Sequence, residues 1–91
     1  MRIDKWLFFT RLLKTRSQAA ALVEAGEVRL NGALIDKPAQ PVKVGDELIF
    51  PTGKRLRRVV VLAHGHRRGP APEAQALYQE LEAPRRDPWT D

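Results

Sequence analysis

The dipeptide Asn31-Gly32 stands between two short apolar runs, Val28-Arg29-Leu30 and Ala33-Leu34-Ile35. Both residues tolerate the positive φ that a two-residue turn requires to match strand twist, so this pattern is the strongest local signal for a β-hairpin. Asn31 is also the single asparagine of the 91-residue chain. Five residues earlier, Gly26 stands where a helix would end in the left-handed conformation. The chain is thereby divided early, with helices before Gly26 and short strands after it.

Two helices fit the first part. Ile3, Leu7, Phe8 and Leu12 recur at helical spacing, predicting a first helix over residues 3–13, with Asp4 at its start to cap it or to meet its dipole. Thr15-Arg16-Ser17-Gln18 matches the capping box, so Thr15 opens a second helix that runs on strong helix formers through residues 19–25. The join is short enough to make the two packed neighbours.

Beyond the hairpin and the Pro-containing stretch 37–41, Gly45-Asp46 predicts a turn into a strand over residues 47–50, ended by Pro51 and Gly53. Residues 57–63 predict another strand, whose run Val59-Val60-Val61-Leu62 suits burial on both faces. From Gly65 the segment HRRGPAP is linker-like. Pro72 suits the first turn of a third helix over residues 72–81, with Ala74, Leu77, Tyr78 and Leu81 on one stripe and Pro84 closing it. The remainder is expected to fray. The fold class is therefore α+β: two N-terminal packed helices, a small antiparallel or mixed sheet of three to four short strands, and a short C-terminal helix.

Charge narrows the function. The formal net charge is +5 and the sequence pI about 10.2, which favours a polyanionic partner. The excess is uneven: residues 1–68 carry 14 basic and 6 acidic side chains, residues 69–91 carry 2 and 5. The absence of cysteine excludes disulfides, thiolate metal sites and a cysteine nucleophile, and fits a cytoplasmic home. The N-terminal stretch is interrupted by Asp4, Lys5 and Arg11 and reads as neither a leader nor a membrane span.

Catalytic readings are thin. Ser17 has no histidine near it in sequence and a sufficient role beside a cap; Asp46 and Glu47 would point to opposite strand faces; His64 and His66 lack the carboxylates or thiols of a metal site. No catalytic residue, metal or cofactor is expected. Nucleic acid fits better, because a phosphate needs positive charge and free backbone donors, and a helix start supplies both where Lys14 and Arg16 flank it. Thr15, Ser17 and Gln18 add side-chain donors. Arg2, Lys5 and Arg11 are expected along one flank of the first helix, and Arg29 with the Asn31-Gly32 tip forms a β element beside it. Trp6 and Phe9 suit the core better than base stacking. Arg55, Arg57 and Arg58 form a second cluster, either another phosphate contact or a guard on a strand edge.

The segments RIDKWLFFTRLLKTRSQAAALVEAGEVRLNGALIDKP and VGDELIF, within residues 2–50, resemble the RNA-binding domain named after the fourth small-subunit ribosomal protein, the αL motif. DKWLFFTRLLKTR and HRRGPAPEAQALY further resemble the ribosome-associated heat-shock proteins of about fifteen kilodaltons, whose larger members carry a basic extension where this chain has an acidic tail. The resemblance implies a domain over residues 1–64 followed by a linker, short helix and tail over 65–91. It also implies a stand-alone, non-enzymatic binder of structured RNA on the large ribosomal subunit, with a part in recycling stalled subunits; tRNA, DNA or a protein are the alternative partners, and a monomer is expected. A pseudouridine synthase, which carries the same domain, would need far more chain. Residue by residue, the resemblance turns Arg2, Lys5, Arg11, Lys14, Thr15, Arg16, Ser17, Asn31 and Lys37 toward RNA; Gln18, Arg29 and Gly32 join them on the physical argument above.

Overall fold

The computed structural model describes residues 1–83; Pro84 as a closing residue and the tail after it, expected to fray, lie outside the described residues. The first helix, α1, spans Ile3–Phe9, and the second, α2, spans Arg16–Glu24. Thr15 caps α2 as the sequence predicts, its Oγ1 accepting from the Gln18 backbone N–H at 3.0 Å, and Gly26 follows the helix at φ 73°. Helix α1 ends four residues before the expected Leu13. The Thr10 hydroxyl donates to the Leu7 carbonyl at 2.8 Å and Arg11 swings to φ 62°, so the chain turns away. Leu12 still reaches the core, entering it from this turn and not from the helix.

The strands are β1 (Val28–Leu30), β2 (Ala33–Ile35), β3 (Glu47–Thr52), β4 (Arg55–Val61) and β5 (Tyr78–Leu81), with a helix α3 (Ala71–Gln75) before the last. They form one antiparallel sheet in the order β2-β1-β3-β4-β5. Leu30 faces Ala33 across the turn, with Asn31 and Gly32 at φ 50° and 88°, the left-handed pair that the dipeptide predicts. Strand β3 continues through Pro51 to Thr52, past its expected end. Proline is tolerated there because β1 pairs only with Leu48 and Ile49, leaving that side of Pro51 without a ladder to complete.

Two expectations need correction. The apolar run Val59–Leu62 is not buried on both faces: Val59 and Val61 are fully buried, while Leu62 is 47% exposed. One sheet face packs under the helices and the other meets solvent. The helix expected over residues 72–81 is instead the short α3 followed by β5, which raises the strand count from the expected three to four to five. The open edge of β4 decides this. Pairing Val61 with Tyr78 and Arg58 with Leu81 satisfies backbone groups that a helix would leave bare, and Arg57 adds a bidentate pair to Glu80 at 2.9 and 2.5 Å.

Trp6, Ile3 and Leu7 of α1, Ala19 and Val23 of α2, and Val28, Leu48, Phe50, Val59 and Val61 of the sheet make one core. Trp6 and Phe9 are buried, at 0% and 8% exposure, as the sequence favours. A strap, residues 62–69, then crosses the end of α1. The Trp6 indole N–H donates to the Ala63 carbonyl at 2.9 Å, Arg11 Nε to the Gly69 carbonyl at 2.6 Å, and Arg68 to the Phe8 and Leu13 carbonyls at 2.6 and 3.0 Å while lying over the Phe8 ring.

Asn31 does more than turn the chain. Its Nδ2 donates to Asp46 Oδ1 at 3.1 Å and its Oδ1 accepts from the Glu47 N–H at 2.9 Å, tying the hairpin tip to the start of β3. Asn31→Val removes both bonds and forces a β-branched residue to positive φ, which is expected to cost about 2 kcal/mol or more. Amide exchange over residues 28–35 is the measurement, and rates unchanged from the parent would refute the assignment.

The Arg57 hydrogen bonds hold the Glu80 carboxyl below its ordinary range. Such a carboxylate stabilises fully above its unfolded value, and the contribution is lost as pH falls through the depressed folded one. Glu80 is 37% exposed, so the pair contributes at most about 1 kcal/mol. Exchange at the β5 amides, corrected for intrinsic rates, should therefore quicken on acidification below about pH 4. Glu80→Gln should show the faster rates already at neutral pH, with β1 and β2 unaffected.

Candidate nucleic-acid interface

The start of α1 is held from behind. Ile3 N–H donates to the Gln40 carbonyl at 2.8 Å, Asp4 N–H to the Pro38 carbonyl at 3.3 Å, and Arg2 bridges Pro41, so the loop after β2 fixes where α1 begins. Asp4 is then 3% exposed, with four donor atoms from three residues around its carboxylate. Arg2 approaches it through Nε and an Nη, both at 3.1 Å, Arg16 of α2 through Nε at 3.5 Å, and the Lys5 N–H at 2.7 Å. The carboxylate is buried while the two guanidinium groups remain about half exposed, at 49% and 46%. Arg2 and Arg16 are thereby aimed outward as a pair from two different helices.

This arrangement runs against helix electrostatics. A cation in the first turn of α2 opposes the positive end of the dipole, and the turn holds no acidic residue of its own to offset Arg16. Asp4 supplies the missing negative charge from the neighbouring helix. Arg2, Lys5, Lys14 and Arg16 still outnumber Asp4 at the two helix starts, and this positive charge lies beside the N–H groups that α2 leaves unbonded, which is what an anion site requires.

The expected site residues separate into groups. Arg2, Lys5 and Arg16 line one recess together with Phe9, His64 and His66, the two histidines arriving from the strap. Lys14 and Gln18 line a groove on the other side of the α2 start, facing Thr52 and Gly53 of the β3–β4 turn. Thr15 and Ser17 are exposed between the two. Arg11 leaves the expected flank of α1: its left-handed backbone sends it to the strap, into a recess with Arg57 and Ala71. Arg29 projects from the sheet face away from the helices, beside Leu34 and Ile49, and donates to the Gly32 carbonyl at 3.4 Å. Gly32 is exposed at the turn, both ends of the Asn31 amide are occupied internally, and Lys37 is exposed in the loop behind α1. Among the described residues, Lys5, Lys14 and Lys37 form no ion pair.

The second basic cluster is largely neutralised. Arg57 pairs with Glu80 and Arg58 with Glu47 at 2.8 Å, and both guanidinium groups are pushed above their usual range by those hydrogen bonds. Among the described residues no three His, Cys, Asp or Glu groups cluster as metal ligands would, and no helix is long and apolar enough to cross a membrane. Sequence reasoning missed His64 and His66 as members of the recess; the available signal was Gly65 between them, which bends the strap at φ 79°. It also took Asp4 for a helix-start residue only.

A small α+β domain of paired helices on an antiparallel sheet, with a positive surface at the second helix start, is the class that this geometry defines. The chain matches the S4 domain over residues 1–48 and belongs to that family. It is similar to the heat shock protein 15 homolog of Haemophilus influenzae, 41% identical over 83 residues, covering 91% of this chain and 63% of the relative. It spans less than two thirds of the length of such relatives. It is also similar to the RQC P-site tRNA stabilizing factor of Halalkalibacterium halodurans, 39% identical over 61 residues, which are 67% of this chain and 68% of that protein. The trimeric structure of Vibrio cholerae heat shock protein 15 superposes with a TM-score of 0.84 at 38% identity, covering 89% of this chain and 81% of that one.

Asp4→Asn keeps an oxygen for the Lys5 N–H but removes the charge shared by Arg2 and Arg16. It is expected to lower stability by about 1–3 kcal/mol, read from the denaturant midpoint. It should also loosen both guanidinium groups in 15Nε relaxation, and Arg side chains as rigid as in the parent would show that Asp4 does not hold them.

Proposed function

We propose that this chain is a non-enzymatic, cytoplasmic RNA-binding factor that grips structured RNA of the large ribosomal subunit and takes part in recycling stalled subunits. The observation that carries the reading is the buried Asp4 carboxylate with Arg2 and Arg16 fanned outward from it. Two positioned guanidinium groups beside a helix start suit adjacent phosphates of a folded backbone, since Arg meets phosphate oxygens in pairs and its order is set before binding. Lys5 and Lys14 extend the charge to either side. Thr15, Ser17 and Gln18 offer further donors to phosphate or ribose. In this reading Arg11, Arg29 and Asn31 serve the fold, and Gly32 and Lys37 lie beside the contact. Membership of the S4 domain family and the likeness to heat shock protein 15 support it.

A second reading makes tRNA the partner, and the likeness to relatives described as P-site tRNA stabilizing factors favours it. The two converge where a tRNA sits on the large subunit. Co-sedimentation with separated ribosomal subunits, and a parallel titration of free tRNA, distinguishes them. We expect salt-sensitive pelleting with the large subunit, lost when Lys14 and Arg16 are both alanine. Arg16→Ala alone should reduce the slope of log affinity against log salt by about one unit, because one phosphate contact is removed. An unchanged slope would exclude Arg16 from the interface, and absence from both subunits would overturn the ribosomal reading.

A further inference from the structure

We infer that His64 turns the recess between α1, α2 and the strap into a phosphate subsite that takes up a proton together with its anion; this rests on the RNA-binding reading above. His64 Nε2 lies 3.0 Å from the Val42 carbonyl. A carbonyl only accepts, so that nitrogen carries the hydrogen, and in the neutral ring Nδ1 is then a bare lone pair. A phosphodiester also offers only acceptors. The ring becomes a donor toward it at Nδ1 by binding a second proton and not otherwise.

The charges around the ring decide when that proton arrives. Arg2 and Lys5 face the recess from the start of α1, Arg16 from α2, and His66 follows on the strap itself. Every one of these is cationic or can become so. Asp4, the acidic group behind them, is already held by Arg2 and Arg16. In the free protein the ring is therefore faced by cations and by no free carboxylate. A phosphate drawn in by the same cations places the opposite charge against the ring and stabilises an imidazolium.

His66 differs. It lies near Glu73, whose carboxyl Arg67 and, more weakly, His66 hold below the ordinary range, so its countercharge is present without a ligand. His64 is also fixed in place. Leu62 and Ala63 N–H groups both donate to the Leu77 carbonyl, Trp6 holds the Ala63 carbonyl, and at Gly65 a Cβ would come 2.8 Å from Leu77. The imidazole thus belongs to a preformed wall.

Proton uptake on binding makes affinity rise as pH falls. The test is fluorescence anisotropy of a labelled RNA hairpin at constant ionic strength between about pH 8 and about pH 5.5, with His64→Gln and His66→Gln beside the parent. The glutamine amide can still donate to Val42, which keeps the fold. The parent should bind about tenfold more tightly at the acid end, the His64 variant should lose most of that gain, and the His66 variant should keep it. Ring 15N spectra with inorganic phosphate as the probe should also move His64, and not His66, toward imidazolium. A His64 variant that retains the full pH gain, or a His64 ring indifferent to phosphate, overturns the inference. If the parent binds no RNA at any pH, the RNA reading fails instead, and the phosphate titration still decides the role of His64.

Discussion

One buried carboxylate organises the charged surface of this protein. Asp4 is almost inaccessible, yet it is surrounded by two guanidinium groups and a backbone N–H, so its burial is compensated by hydrogen bonds from every side. A carboxylate in that setting fixes geometry more than it adds net stability. It fastens the first turn of α1 to the first turn of α2, and it gathers two arginines from the two helix starts around one charge while about half of each stays open to solvent. The loop carbonyls of Pro38 and Gln40 hold α1 where Asp4 needs it, so the sheet connection also bears on the charged face.

The parts of the fold that could be read from the sequence are those caused by one or two residues acting on their own backbone. Asn31-Gly32 makes its turn because both residues accept positive φ; Thr15 makes its cap because its hydroxyl reaches Gln18; Gly26 ends α2 because it lacks a Cβ. Strand β5 is a different case. Gln79, Glu80 and Leu81 favour a helix in isolation, and the Ala74, Leu77, Tyr78 and Leu81 stripe agrees with one. What overrides them is the vacant edge of β4, a demand that arises only after the sheet exists.

The same distinction separates the charges from their grouping. That the first two-thirds of the chain attracts anions follows from counting. Which cations stand together does not, because it depends on Arg11 turning left-handed after Thr10 and on the strap bringing His64 back to α1 across more than fifty residues of chain. Asn31 likewise has an evident turn role and a hidden one, since its partners Asp46 and Glu47 become neighbours only through sheet pairing.

The strap has a consequence for modularity. The S4 match ends at residue 48, but the indole of Trp6 and the carbonyls closing α1 find their partners at residues 63 and 68. The helices that carry the charged pair are therefore completed by a segment outside the matched module. Grafted alone onto another protein, residues 1–48 would present the right side chains on an unfinished end of α1, with a tryptophan N–H lacking its acceptor. The transferable unit is the longer one, in which the second half of the chain acts as the clasp of the first.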